Sequence, residues 1–189
     1  MKLTLDENHI YRDESGIIWP SVSEILRVAG LGSNWGSEED RLRGQYVHEA
    51  TAFCDMDQLD EDALDPTIRP YVSAWLKFQR ESGFEVGLIE EIVWNERLHY
   101  AGRLDRGGKL NGRRCVLDIK SGAIEDWTAL QLAAYAMTGK DGFPLRVGVE
   151  LRADGTYTTK EFQNVNDYRI WEALTLTYHW KEEHKCLPK

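Results

Sequence analysis

The stretch "GRLDRGGKLNGRRCVLDIKSG", residues 102–122, decides the fold of this chain. Two runs rich in strand-forming residues flank Asn111-Gly112, a dipeptide that favours a two-residue turn between antiparallel strands. Such a turn sets Leu110 opposite Arg113, and every further facing pair follows from that one. The stretch is therefore predicted to be a β-hairpin. A bulge at Gly107-Gly108 is the alternative that would shift the pairing by one residue.

The predicted hairpin carries acids and a base where a central strand pair normally carries apolar side chains. In the unshifted register Asp105 faces Asp118, with Cβ atoms about 4.5–5.5 Å apart. Because strand side chains alternate, Lys120 shares the face of Asp118. Two facing carboxylates repel each other unless a cation lies between them, and hard divalent cations prefer oxygen ligands. The pattern predicts either a metal site or a solvated ladder of ion pairs that also includes Arg103.

Composition bounds the class of protein. The chain has 189 residues, 42% of them hydrophobic, and a formal net charge of −9. This charge disfavours a general nucleic-acid coat protein, which is normally basic, but not an enzyme with a local basic groove. No run approaches the roughly 18 apolar residues of a membrane helix, and the N-terminus lacks the apolar core of a signal peptide. The sequence predicts no membrane association and a reducing, cytoplasmic location.

Hydrophobic periodicity predicts an α/β fold in one domain, residues 1–189. Residues 1–85 are predicted to form a mainly helical N-terminal lobe, and residues 86–189 an α/β core with a mixed central sheet flanked by helices. The predicted elements are a small N-terminal hairpin; helices from Ser21 or Ser23 to Gly30, over 38–55 and over 67–83; the strands "LIEEIVW", "HYAGRLDR" and "RRCVLDIK"; a helix over 124–139; a hairpin around Asp154-Gly155; and a last helix from Asn166 or Asp167.

Three further motifs accompany the hairpin. "RGQYVHE" places His48 on a helix, and "EEIVW" places Glu90 and Glu91 on a strand expected to neighbour the hairpin. "QLAAY" carries Gln131 and Tyr135, which are four residues apart and therefore share a helix face. Each motif alone is weak, since a single helix histidine or glutamine is usually structural.

Taken together, "RGQYVHE", "EEIVW", "YAGRLD", "DIK" and "QLAAY" resemble the PD-(D/E)XK nuclease superfamily, in particular its RecB-like exonuclease branch. The motifs occur in that family's order and span residues 43–135. "WPSVSEIL" and "DPTIRPYVSAWLKF" are also similar to small phage and prophage members. The resemblance implies a restriction-endonuclease-like core.

The resemblance implies a metal centre for one or two Mg²⁺ or Mn²⁺ ions. Asp105 matches the family's metal-binding aspartate, and Asp118 matches the acid of its Asp-x-Lys motif. The carbonyl of Ile119 often completes the metal site in such proteins. His48 matches the histidine ligand that RecB-like members add.

The resemblance also implies catalytic and orienting groups. Lys120 matches the catalytic lysine. Glu91 matches the upstream glutamate, with Glu90 as the alternative one residue earlier. Gln131 and Tyr135 match the Gln-x-x-x-Tyr motif, which orders the site and contacts DNA.

Two departures from the family pattern bear on cofactors and partners. Leu104 stands where the motif name has proline, a common variation. The three cysteines are far apart, so no iron–sulfur cluster is expected. No helicase segment is present, and any unwinding would require a partner such as a helicase, a recombinase or a single-strand-binding protein.

Contacts with DNA are predicted for aromatic and basic side chains near the motifs. Trp35, in a glycine- and serine-rich loop, either stacks on a base or forms a lid over the core. Arg43 and Arg103 belong to a set that would line a phosphate groove, with plain surface charge as the alternative for each. The full set is Arg41, Arg43, Arg103, Arg106, Arg113 and Arg114.

The function expected from these motifs is metal-dependent hydrolysis of DNA phosphodiester bonds, by an exonuclease acting at DNA ends. Two alternatives stay open at this point. One is a nuclease-fold module that grips DNA or a recombination partner with little turnover. The other is a structural α/β protein with an ion-pair ladder, which leaves His48, Glu91 and the Gln131/Tyr135 pair unexplained.

Overall fold

A five-stranded mixed sheet forms the centre of the protein. The computed structural model describes residues 2–32, 36–139 and 142–188. The strand order follows the chain, with β6 and β7 parallel and every other neighbouring pair antiparallel. The strands are β4 (Glu85–Asn95), β5 (Tyr100–Leu110), β6 (Arg113–Lys120), β7 (Leu145–Leu151) and β8 (Tyr157–Glu161).

Three helices and a small sheet precede β4. The small sheet is antiparallel and packs beside the β4–β5 end of the large one. Serine side chains cap the first two helices, and Gly83 ends the third in the left-handed conformation, as their sequences favour. These elements are β1 (Leu3–Leu5), β2 (Tyr11–Asp13), β3 (Ile18–Trp19), α1 (Val22–Val28), α2 (Glu38–Asp55) and α3 (Arg69–Ser82).

Helices cover both faces of the large sheet. On one face α1 packs with α4 (Thr128–Ala136) and α5 (Asn166–Glu183). On the other face α2 and α3 pack against β6 and β7. The alternation of β6 serves both cores, because Val116 enters the first while Leu117 and Ile119 enter the second.

The predicted mixed sheet flanked by helices is confirmed. Residues 1–85 supply helices to both faces of this sheet and share its two cores. The first part of the chain also holds the three-stranded sheet, of which the sequence indicated only a hairpin. Among the described residues, no helix is long and apolar enough to cross a membrane.

The hairpin forms in the unshifted register. Leu110 faces Arg113, and the regular pairing continues to Arg106 opposite Leu117. The bulge considered at Gly107-Gly108 does not affect the pairing of β5 with β6. An irregularity instead occurs in the pairing of β5 with β4, where the register shifts between Val86 and Leu88. The two-residue turn therefore fixes the relative position of the strands that carry Asp105 and Asp118.

Candidate metal centre and cleft

Three side chains from three elements converge at the centre of the molecule. One ligand atom each from His48 on α2, Glu90 on β4 and Asp105 on β5 lie within 4.8 Å of one another. The Nδ1 atom of His48 is 3.5 Å from Oε1 of Glu90 and 3.6 Å from Oδ1 of Asp105. An imidazole nitrogen with two carboxylate oxygens is a donor set that suits Mn²⁺ and, through its oxygens, Mg²⁺.

A break in strand alternation brings the two carboxylates together. Leu104 packs in the core beneath α4, yet Arg106, two residues later, pairs with α2 on the other side of the sheet. Opposite this break, Glu90 has a positive φ of 48°, a conformation that costs a residue other than glycine about 1–3 kcal/mol. The local departure from a regular strand pair turns Glu90 and Asp105 towards His48.

The structure separates the two candidates for the upstream glutamate. Glu91 is exposed and lines a separate cavity of about 580 Å³, together with Met137 and Phe143. Glu90, the alternative one residue earlier, is the glutamate beside His48.

The ring of His48 is oriented by the backbone of β6. Its Nε2 atom lies 2.9 Å from the carbonyl oxygen of Ile119, and a carbonyl can only accept, so Nε2 carries a proton. Nδ1 therefore faces the two carboxylates, either as a second donor or as a lone pair for a metal ion. Histidine ligands in metalloproteins commonly donate their other N–H to a carbonyl in this way. Ile119, predicted to offer its carbonyl to the ion, here offers it to His48.

Of the two aspartates, Asp105 belongs to the group of three possible metal ligands and Asp118 lies outside that group. Oδ2 of Asp105 accepts a hydrogen bond from the Ile119 N–H at 2.7 Å. Asp118 is completely buried and lies 2.8 Å from Nζ of Lys120. That contact lacks hydrogen-bond geometry, so neither Asp118 oxygen accepts a directed hydrogen bond from the part of the chain that the structure describes. The ion pair of the ladder alternative is present beside the cluster, and Asp118 retains accepting capacity.

The Gln-x-x-x-Tyr pair of α4 lies against the lysine. Oε1 of Gln131 is 3.4 Å from Nζ of Lys120, and the ring of Trp127 lies beneath the same ammonium at 5.3 Å. Tyr135 packs on Gly102, where an added Cβ would come within 2.7 Å of the tyrosine ring. Both α4 residues line the same cleft as His48 and Asp105.

Burial and the neighbouring carboxylates disfavour the ionised form of Asp105 at this centre. The pKa of Asp105 is raised to about 6, first by burial and then by the carboxylates of Asp118 and Glu90, against the lowering effects of His48 and Lys120. Burial also opposes ionisation of Glu90, but His48 holds the pKa of that carboxyl below its usual value. The pKa of His48 is raised by Asp105 and Glu90 although burial alone would lower it. The pKa of Lys120 is likewise raised by Asp118 and Asp105 against burial. A divalent cation would relieve this repulsion, so the residues present fit such an ion.

The cluster opens into a cleft of about 710 Å³ between α2, β5 and α4. Arg103 lines the cleft and pairs with Oε2 of Glu90 at 3.1 Å. Arg43 instead forms an ion pair with Asp40 at 2.7 Å. Trp35 lies outside the described residues.

Arg106 is a residue whose position the sequence interpretation missed. The sequence predicts Arg106 in a phosphate groove or on the surface, yet its side chain is fully buried and pairs with Asp55 and Glu90. The signal was available in the hairpin register, which sets Arg106 opposite Leu117 on an inward, apolar face.

Comparisons with known proteins add no family to this description. No protein-family model matches the sequence, and no curated protein matches it either. The resemblance to the nuclease superfamily therefore stays a prediction from the motifs.

Proposed function

We propose that this protein is a divalent-metal-dependent nuclease that hydrolyses DNA phosphodiester bonds, as an exonuclease acting at DNA ends. The observation that carries the proposal is the convergence of His48, Glu90 and Asp105 at an open cleft, where Lys120 contacts Gln131 of the cleft wall. The proposal also draws on the order of the five sequence motifs along the chain.

The ion would be held by Nδ1 of His48 and by carboxylate oxygens of Glu90 and Asp105. Bound there, Mg²⁺ or Mn²⁺ lowers the pKa of a water molecule and neutralises charge that develops on the phosphate. Asp118 has buried oxygens without a directed donor, so it is available to the ion or to water next to it.

Lys120 would act on the reacting atoms. Its ammonium is held by Asp118 at 2.8 Å and by Gln131 at 3.4 Å, in a side chain that is 20% exposed. In that position it orients the attacking water or stabilises charge on the phosphate oxygens. Arg103, 45% exposed at the cleft wall, offers a second positive charge to the DNA backbone.

Digestion of end-labelled linear DNA and of closed circular DNA tests the proposal, with Mg²⁺, Mn²⁺ or EDTA present. The wild type is expected to shorten the linear DNA from its ends only when a metal ion is present, and to leave the circle closed. Lys120→Ala is expected to lower the rate at least about 100-fold, the usual loss when one charge-stabilising group is removed.

Lys109→Ala provides the matched control, because Lys109 is an exposed lysine near the turn end of the same hairpin. It should cleave at the wild-type rate. Tight DNA binding without cleavage in either metal would favour the DNA-binding-module alternative. Opening of the circle would contradict the exonuclease assignment, and equal rates for wild type and Lys120→Ala would contradict the mechanism.

A further inference from the structure

A fully buried arginine lies directly behind the candidate metal centre. The Arg106 side chain has no solvent exposure. Its Nε donates to Oδ2 of Asp55 at 2.5 Å, and its Nη2 donates to Oγ1 of Thr51 at 3.2 Å. Its Nη1 donates to Oε1 of Glu90 at 3.1 Å and to the carbonyl oxygen of Asp105 at 2.6 Å. One guanidinium therefore contacts both residues that supply carboxylates to the cluster.

Asp55 is itself fixed from a second helix. Its Oδ1 accepts from Nε1 of Trp75 at 2.9 Å and from Nε2 of Gln79 at 2.7 Å, both on α3. Asp55 is also the last residue of α2, where the partial negative charge of the helix terminus disfavours a carboxylate. The buried guanidinium offsets that unfavourable position.

We propose that Asp55 and Arg106 form a buried positioning pair that sets Glu90 and Asp105 for a divalent cation without touching it. This inference rests on the proposed function. Nη1 of Arg106 holds the two residues at the point where the strand alternation breaks, with Glu90 in its left-handed conformation. Without these two hydrogen bonds from Arg106, the regular alternation of side chains along β4 and β5 would turn the carboxylate of Glu90 or of Asp105 away from His48.

Asp55 has an electrostatic part in the same arrangement. A lone guanidinium 3.1 Å from Oε1 of Glu90 would repel a divalent ion bound to that carboxylate. The Asp55 carboxylate is equally buried and neutralises the charge of Arg106. The carboxylates of the cluster can then attract a divalent ion without opposition from the guanidinium. Asp55 is thus expected to govern metal affinity although it is not one of the three candidate ligands and acts only through Arg106.

The fold contains a matched control for this pair. Arg146 on β7 is also buried and pairs with Asp167 of α5 at 2.9 Å. Its guanidinium also donates to the carbonyl oxygens of Ala129 and Asn164 and lies over the ring of Tyr168. Asp167→Asn therefore removes the same charge from a buried arginine–aspartate pair that does not contact the cluster.

The test is a Mn²⁺ titration of the intact protein, followed by calorimetry, for wild type, Asp55→Asn and Asp167→Asn. Thermal melts in EDTA establish that each variant is folded at the titration temperature. Asp55→Asn is expected to weaken Mn²⁺ binding at least about tenfold, as supporting residues of metal ligands typically do. Asp167→Asn is expected to bind Mn²⁺ as the wild type does, even if its melting temperature falls equally. Saturating Mn²⁺ should restore most of the DNA cleavage of Asp55→Asn.

Thr51→Val is the second variant in case Asp55→Asn does not fold. It removes the Nη2 contact of Arg106 and also the hydrogen bond from Oγ1 of Thr51 to the carbonyl oxygen of His48. Mn²⁺ binding should weaken about threefold, a fraction of one hydrogen bond to a charged group. Unchanged affinity in the folded variants, with a wild type that binds Mn²⁺ and cleaves DNA, would overturn the positioning pair and leave the proposed function standing. A wild type that does not bind Mn²⁺ would overturn both.

Discussion

Replacing Asp105 by asparagine should stabilise the metal-free protein. The carboxyl is only 7% exposed, and burial, together with Asp118 and Glu90, raises its pKa from 3.8 to about 6. The folded state thus binds the proton more tightly than the unfolded chain, and the free energy of unfolding falls as the pH rises from about 4 to about 6. At about 1.36 kcal/mol for each pKa unit, the ionised carboxylate lowers stability by about 3 kcal/mol above that range.

Asp105→Asn removes this charge and keeps an oxygen for the N–H of Ile119. It also removes the carboxylate that lies 3.6 Å from Nδ1 of His48 and raises the pKa of that ring, and this loss cancels part of the gain in stability. In EDTA at about pH 7.5 the variant is therefore expected to be about 1–3 kcal/mol more stable than the wild type. At about pH 3, below the pKa of 3.8 that the carboxyl has in the unfolded chain, the wild-type group is mostly protonated in both states and the difference should largely vanish.

Added Mn²⁺ should reverse the order of stability at about pH 7.5. An ion that binds only the folded state at 100 times its dissociation constant adds about 2.7 kcal/mol, and the variant lacks one of the three candidate ligands. Urea-induced unfolding of both proteins, in EDTA and in Mn²⁺ at the two pH values, measures all four differences. The reasoning would be refuted if the variant is less stable than the wild type in EDTA and if Mn²⁺ does not change the stability of the wild type. Asp105 would then be a structural ion-pair partner.

Three other predictions concern neighbouring positions. Glu90→Gln should weaken Mn²⁺ binding by about tenfold or more while Glu91→Gln leaves it unchanged; calorimetry with equal effects of both would contradict the site geometry. Gly102→Ala should destabilise the protein by about 1–3 kcal/mol in urea unfolding and slow cleavage, because the new Cβ would lie 2.7 Å from the ring of Tyr135; full activity at wild-type stability would show that the ring moves freely. Trp35→Ala should weaken binding of short single-stranded DNA by about 1–3 kcal/mol if the ring stacks on a base; unchanged affinity in fluorescence anisotropy would favour the lid.

The hairpin register could be predicted from sequence because it depends on local chemistry. Asn111-Gly112 permits a turn that few other dipeptides form, and every facing pair then follows by counting. The helix ends at Ser21, Ser37 and Gly83 are similarly local, since a capping side chain or a left-handed residue acts within one turn.

The choice between Glu90 and Glu91 could not be made in that way. Regular alternation gives each residue of β4 a face, but the positive φ of Glu90 interrupts the alternation at the very position in question. That conformation is held by Arg106 and, through it, by α2, which is distant in sequence. The local sequence pattern of β4 does not show a contact with a residue that is distant in sequence. Arginine, moreover, is usually found at the protein surface, so a buried Arg106 is not expected.

The parallel pairing of β6 with β7 affects how this protein folds during its synthesis on the ribosome. β4, β5 and β6 are joined by short connections, whereas β7 follows only after α4. Until β7 has emerged, β6 stands at the edge of a partial sheet, and it carries Cys115, Val116, Leu117 and Ile119, all fully buried in the finished fold. An apolar strand with unpaired N–H and C=O groups is a template for pairing with other chains. Synthesis that stalls between α4 and β7 should therefore give a nascent chain that depends on chaperones and aggregates readily.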